Sequence, residues 1–298
     1  MQHKKLKKSV VRIMATLIIL VGYGLIVMPY AIDWYSRIGQ TATISGYKDA
    51  VDLLSDEQIE NQRQKTIAYN AQIAEKQKQE FYRYSSKQEF DFDYKHLPVE
   101  GSSEICTVEI PKINVNMPVG HGTDDNMLQT EAGHLYGTSL PIGGVSTHSV
   151  IAAHSALRTA EMFSRLDELE KGDVFYINIL KETHAYEVTE IRTVLPEECD
   201  QYMQIIPGED QVTLYTCTPY GINTHRLLVT GNRIGDPINI ESTETVEIIS
   251  DKTGPILVLV GIVGIPVVLA ISVNVYIYYK EKREKTLHCK KKGEKVNV

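Results

Sequence analysis

Two uncharged apolar runs, each set against a basic cluster, constrain this chain before any other feature does. Ile13–Met28 ("IMATLIILVGYGLIVM") contains no charge and continues through "PYAIDWY" to Trp34 and Tyr35. Gly254–Tyr279 is also uncharged and closes on a cluster of tyrosines beside Lys280. Roughly 20 apolar residues cross a bilayer, so both runs are long enough to span, and aromatic residues at their edges suit the headgroup zone. The alternatives are a buried core helix or, for the first run, a cleaved leader. "KKLKK" precedes that run as in a leader, but the small-x-small pattern before Asp33, Gly22-Tyr23-Gly24, lies within the apolar run and not at its end. The excess of basic residues at each end places both termini in the cytoplasm and residues 33–253 outside. Whatever folds must therefore be built between two anchors.

Charge narrows the class of partner. The formal net charge of -7 is unevenly spread. Residues 1–12 carry five Lys/Arg and no acid, and residues 280–298 carry eight Lys/Arg and three Asp/Glu. That leaves 18 basic and 35 acidic residues between them. A surface this acidic excludes a nucleic-acid partner, which needs a basic face.

The cysteines add a second constraint. Of Cys106, Cys199, Cys217 and Cys289, the last lies among the cytoplasmic lysines. Three external cysteines cannot all pair within one molecule, and no CxxC or Cys/His cluster has metal-ligand spacing. At least one external thiol is free or bonded elsewhere. A Cys106–Cys199 bridge stays open at this stage, with Cys106 in a strand and Cys199 in a loop after "LPEE".

Residues 40–84 lack proline after the first run and carry apolar residues a helical turn apart (Val51 and Leu54; Ile67, Ala71 and Ala74), which predicts helix. "SDEQ" at Ser55–Gln58 is a capping-box pattern that starts a second helix and gives a solvated helical hairpin. Residues 85–104 are polar and punctuated and read as a linker or flap. From residue 105 the period changes to short β-rich runs: "ICTVEI", "INVNMPV", "HSVIAAH", "VFYINI", "HAYEVTEIRTVL", "QVTLYTC" and "HRLLVTGNRI". Turn formers separate them, and Glu161–Leu169 allows one or two helical turns. The pattern predicts a mainly antiparallel barrel or sandwich.

Three residues stand near the ends of these runs. His154 closes "SVIAAH", Cys217 closes "VTLYTC", and Arg226 opens "RLLVTGNR". A thiol nucleophile needs an acid/base partner and a group facing the oxyanion, and these three types supply those roles. Arg226 stays protonated and so cannot act as base; its planar fork suits orienting a substrate. Against this stands the ordinary reading of each. A free cysteine at a strand end is usually a small core residue, the chain has nine histidines, and an arginine after a turn is normally solvated. Composition and spacing alone leave both readings standing.

A resemblance bears on that choice. "TLYTCTPYGINTHRLLVTGNR" (Thr213–Arg233) resembles the signature of the sortases, cysteine transpeptidases of Gram-positive cell surfaces. Its Thr-Pro-Tyr-Gly and Asn-Thr-His-Arg elements are similar to those of class C, the pilin-polymerising group. "EIPKINVNMPVGHGT" (Glu109–Thr123), "GHLYGTSLPIGG" (Gly133–Gly144) and "THSVIAAHSAL" (Thr147–Leu157) resemble earlier motifs of that group in the same order. The second anchor also resembles class C. The resemblance implies an eight-stranded β-barrel with an N-terminal helical extension and two transmembrane helices. It further implies Cys217 as nucleophile, His154 as acid/base and Arg226 as the orienting residue. The implied substrates are pilin or surface proteins with an LPXTG-like signal, cleaved between Thr and Gly through a thioester that a lysine amine of another pilin then resolves. Attachment of surface proteins to the cell wall, or a non-catalytic scaffold, are the alternatives. No cofactor is implied, and no acidic loop suggests the calcium used by some class A members.

On this reading residues 1–12 form a cytoplasmic tail, 13–32 the first span and 33–104 the external extension and flap. Residues 105–240 form the barrel, 241–253 a linker, 254–279 the second span and 280–298 the other tail. One departure stands out. Many class C sortases carry an Asp-Pro-aromatic lid over the cysteine, and no such motif occurs between Asp33 and Cys106; "FDFDY" lacks the proline. Either the flap at 85–98 closes the site by other contacts or the site is open, and the sequence favours the second.

Overall fold

The computed structural model describes residues 2–81, 90–155 and 161–239, with a few single positions between 268 and 283. It divides into two units, 1–34 with 247–298, and 35–246. In the first, helix α1 (Gln2–Asp52) begins. Its stretch from Thr16 onward is long and apolar enough to cross a membrane, with a mean hydropathy of 1.8 over its most apolar window. Leu17, Ile18, Val21, Leu25 and Ile26 are all exposed. Such side chains on successive helical positions leave no polar face for water, as a lipid-facing helix requires. The run at 254–279, the tail beyond it and Cys289 lie outside the described residues apart from those single positions.

The second unit is a closed eight-stranded barrel. Its strands are β1 (Glu104–Ile110), β2 (Val115–His121), β3 (Ala132–His134), β4 (Thr147–Ala152), β5 (Val174–Ile179), β6 (Glu182–Val194), β7 (Asp210–Thr218) and β8 (His225–Asn239). They run in the order β1-β2-β3-β4-β7-β8-β6-β5, and β5 pairs back onto β1. Two neighbours are parallel, β2 with β3 and β4 with β7; the others are antiparallel. Seven strands coincide with the apolar runs read from the sequence. β3 was not foreseen, because three residues are too few to show alternation.

Closure gives each strand an inner and an outer face, and in β5 the burial pattern follows a period of two. Phe175, Ile177 and Ile179 of β5 point into the core and alternate with partly exposed neighbours. Val212 and Leu214 of β7, Leu227 and Val229 of β8, and Ile151 of β4 join the same core. The opposite faces of β4, β7 and β8 are covered as well. Val150, Leu228, Val194, Cys199 and Met203 form a second apolar cluster with Tyr215 against it. That cluster fastens the connection between β6 and β7, including a 3-10 turn at Pro196–Tyr202, over the outside of the barrel wall.

The end of α1 packs on the barrel through Tyr47 and Val51. The Tyr47 hydroxyl donates to Ile105 O and accepts from Leu180 N, both at 3.0 Å. Helix α2 (Asp56–Gln79) starts at Ser55 with both bonds of a capping box formed. Its buried face corrects the expectation from the sequence. Ile67 is exposed, and the residues against the barrel are Gln62, Thr66, Tyr69, Asn70 and Ile73. Of the polar residues on this face, Thr66 bonds back to Gln62 O within the helix, and Asn70 reaches the backbone of Leu140 in the loop between β3 and β4. Asn70 Nδ2 donates to Leu140 O at 2.8 Å and its Oδ1 accepts from Leu140 N at 2.7 Å. Asn70→Ala leaves both groups buried and unpaired, and is expected to cost about 2–4 kcal/mol. Thermal unfolding of the detergent-solubilised chain, followed by circular dichroism, measures this.

Residues 90–99 are not the simple linker the composition suggested. Asp91 caps a five-residue helix, α3 (Phe92–His96), by accepting from Tyr94 N at 2.7 Å. Its other carboxylate oxygen accepts from Tyr69 and Tyr136. Tyr94 is fully buried and accepts from Gly122 N at 2.9 Å. Gly122 has φ +82°, and Phe90 leaves no space for a Cβ there. Burial lowers the His134 imidazole to about 4, so it is neutral at pH 7. With its Nε2 donating to Ser139 O, Nδ1 accepts from Tyr94.

Candidate active site

Strand parity aims the three candidate residues at one place. Cys217 lies two residues after Tyr215 on β7, so both point away from the barrel core. Arg226 is the register partner of Cys217 across the β7–β8 pair. It stands two residues before Leu228, which faces the same outer cluster. His154 lies two residues beyond the end of β4, on the side of Val150 and Ala152. All three line one cavity of about 220 Å³ with Ala152, Tyr215, Thr123 and Leu128, and with Pro196, Cys199, Asp200 and Met203 from the turn after β6. Cys217, His154 and Arg226 are each only partly buried.

Hydrogen bonds beyond the strand ends hold the histidine segment against β7. Ala153 N donates to Tyr215 O at 3.1 Å, continuing the parallel β4–β7 ladder by one step. Thr216 Oγ1 then donates to Ala153 O at 2.8 Å, and Ser155 Oγ donates to the Cys217 carbonyl at 2.5 Å. The residues on either side of His154 are thereby tied to Tyr215, Thr216 and Cys217. Ser155 had no signal of its own in the sequence, since it became relevant only through a partner on another strand.

The arginine is held more tightly than a solvated side chain. Its Nε donates to Tyr215 Oη at 2.9 Å, and its Nη1 donates to Asn223 O and His225 O at 3.1 and 3.0 Å. Burial opposes its charge, but Tyr215 and Cys217 beside it favour it, and the guanidinium is held above its ordinary value. Burial pushes the Cys199 thiol up to about 11 despite Tyr215 and Arg226 nearby, so it stays protonated at neutral pH. Burial, and then Cys199 beside it, likewise keeps the Tyr215 phenol protonated.

Cys106, Cys199 and Cys217 are all free, so the Cys106–Cys199 bridge left open by the sequence is not formed. Cys106 is core, and Cys199 is packed beneath the turn it belongs to. No group of three or more His, Cys, Asp or Glu among the described residues is arranged to hold a metal ion. Of the flap at 85–98, residues 85–89 lie outside the described residues. The remainder, fixed by Asp91 and Tyr94, contributes nothing to the cavity lining.

Comparison with known proteins identifies the family. The family profile of the sortase domain matches residues 108–234. Sortase A of Bacillus anthracis is 26% identical over 132 residues, and sortase D of Bacillus subtilis 28% over 131. The matches span 44% and 43% of this chain, and 60% and 62% of those relatives' lengths. Among solved structures, sortase C1 of GBS pilus island 1 is 39% identical, with a TM-score of 0.60 over 66% of this chain and 93% of that one. Sortase C of Streptococcus pneumoniae is 39% identical, with a TM-score of 0.57 over 66% and 98%. Sortase C-1 of Actinomyces oris is 43% identical, with a TM-score of 0.54 over 60% and 99%. With its cysteine, histidine and arginine gathered at one end of an eight-stranded barrel, the chain belongs to the sortase family, in the class C group of those three structures.

Proposed function

We propose that this chain is a membrane-anchored cysteine transpeptidase that joins pilin subunits by isopeptide bonds. The observation that carries the reading is the convergence of Cys217, His154 and Arg226 on one partly exposed cavity. Pilus-related names among the class C structures support pilins as the substrate class. The apolar stretch of α1 supports the anchor.

In the proposed reaction Cys217 Sγ attacks the threonine carbonyl of an LPXTG-like signal while its proton passes to His154. The oxyanion that forms lies against the Arg226 guanidinium, whose charge is fixed at every working pH. The carbon–nitrogen bond to glycine breaks, His154 returns the proton to the departing amine, and a thioester remains on Cys217. A neutral lysine amine of a second subunit then attacks the thioester carbonyl. The amide forms, the carbon–sulfur bond breaks, and the proton shed by the amine restores the thiol. Every group this sequence needs is a side chain of the cavity or a substrate.

The test uses the detergent-solubilised full chain and a dye-labelled LPXTG-like peptide. Rapid acid quenching and mass spectrometry are expected to find the peptide, cut after threonine, attached to the fragment containing Cys217. Addition of a lysine amine is expected to discharge it as an amide. Intact peptide together with unmodified Cys217 would overturn the proposal.

A further inference from the structure

Tyr215 lines the cavity between the thiol and the turn that walls it, and the reaction just described gives it no role. Its hydroxyl is an acceptor within the site: Arg226 Nε donates to Tyr215 Oη at 2.9 Å. A guanidinium nitrogen only donates, so the phenol oxygen presents a lone pair to it. Burial keeps the phenol protonated, so the arginine meets a neutral hydroxyl at working pH.

The consequence is an oriented guanidinium. Nε is fixed by Tyr215 and Nη1 by the carbonyls of Asn223 and His225. Among the described residues Nη2 has no hydrogen bond, which leaves the donors of that nitrogen for a group inside the cavity. A planar fork held on two of its three nitrogens loses its freedom to swing, which is how donors aimed at a developing charge are preorganised. Position on the sheet makes this possible. Tyr215 is two residues before Cys217 on β7, and Arg226 faces Cys217 across the pair, so tyrosine and arginine are diagonal neighbours on one face.

We infer that Tyr215 is a positioning residue for this site, holding the Arg226 guanidinium toward Cys217. The inference rests on the transpeptidase reading for its catalytic consequence, but the orientation itself is a property of the unliganded protein. The groups lining the cavity around the thiol are His154, Arg226, Tyr215, Asp200 and Cys199. Tyr215→Phe removes the hydroxyl from one of them and keeps the ring.

Two readouts on the full chain in detergent test this. The first is the rate of Cys217 alkylation by iodoacetamide at fixed pH, followed by mass spectrometry, which needs no peptide substrate. Arg226→Ala is expected to slow it about threefold or more, through loss of a positive charge beside the attacking sulfur. Tyr215→Phe should slow it by less, and should add nothing in the Arg226→Ala background. The second is turnover of the LPXTG-like peptide. Tyr215→Phe is expected to lower kcat about 10–100-fold with KM within about twofold. An unchanged alkylation rate, or an effect of Tyr215→Phe that persists without Arg226, overturns the inference whatever happens to turnover. Coupled alkylation without any peptide turnover in the unsubstituted protein supports the inference and overturns the transpeptidase reading alone.

Discussion

Cys217→Ala is expected to abolish both cleavage of the sorting peptide and its transfer to an amine, a loss of about 10⁴-fold or more. The size follows from the proposed chemistry, because neither other described thiol can substitute. Cys106 is buried in the core, and Cys199, though it lines the same cavity, is held protonated by burial. The structural cost of the change is small. Cys217 is partly exposed at the end of β7, and its carbonyl keeps the bond from Ser155 whatever the side chain is. The variant should therefore melt with the unsubstituted protein, so that loss of turnover reports chemistry and not unfolding. Peptide turnover followed by liquid chromatography decides it: residual activity above about a tenth of the original rate would remove Cys217 from the nucleophile role.

Arg226→Lys should have the second largest effect, a fall in kcat of about 10²–10³-fold with little change in KM. Charge is retained in this variant, so a fall of that size isolates geometry. A lysine ammonium cannot donate at once to Tyr215 Oη, Asn223 O and His225 O and still face the cavity. It becomes a mobile point charge where a fixed fork stood. Arg226→Ala, which loses the charge as well, should fall at least as far. Steady-state kinetics on the detergent-solubilised chain measure both; a lysine variant within about fivefold of the original would mean that charge alone suffices.

Much of this was legible beforehand, for identifiable reasons. Seven of the eight strands are short runs rich in β-branched and apolar residues bounded by turn formers, and that is a property of each run by itself. The cap at Ser55 is equally local, since both its bonds lie within four residues. The face of α2 was misread because its apolar residues do not mark it. Asn70, Thr66 and Gln62 are buried there, and Asn70 pairs with the backbone of Leu140, in a loop seventy residues away. Residues 90–99 looked like polar linker because Asp91 and Tyr94 find their partners, Tyr69, Tyr136, Gly122 and His134, only after the barrel has closed.

The same division holds at the site. The sequence by itself determined which residue types were available for acyl transfer, that Cys217, His154 and Arg226 stand near strand ends, and that their motifs resemble those of sortases. It also determined that one apolar stretch near the N-terminus is long enough to cross a membrane. Alternation along each strand then set which way each side chain points. Only the tertiary structure decided that these directions meet. β4 and β7 run parallel and side by side, so their ends coincide, and β8 returns antiparallel to bring Arg226 opposite Cys217. Neither the tie from Ser155 to the Cys217 carbonyl nor the support of Arg226 by Tyr215 has a local signature. The first joins residues 62 apart in the chain and the second crosses the β7–β8 pair, so both exist only once these strands have paired.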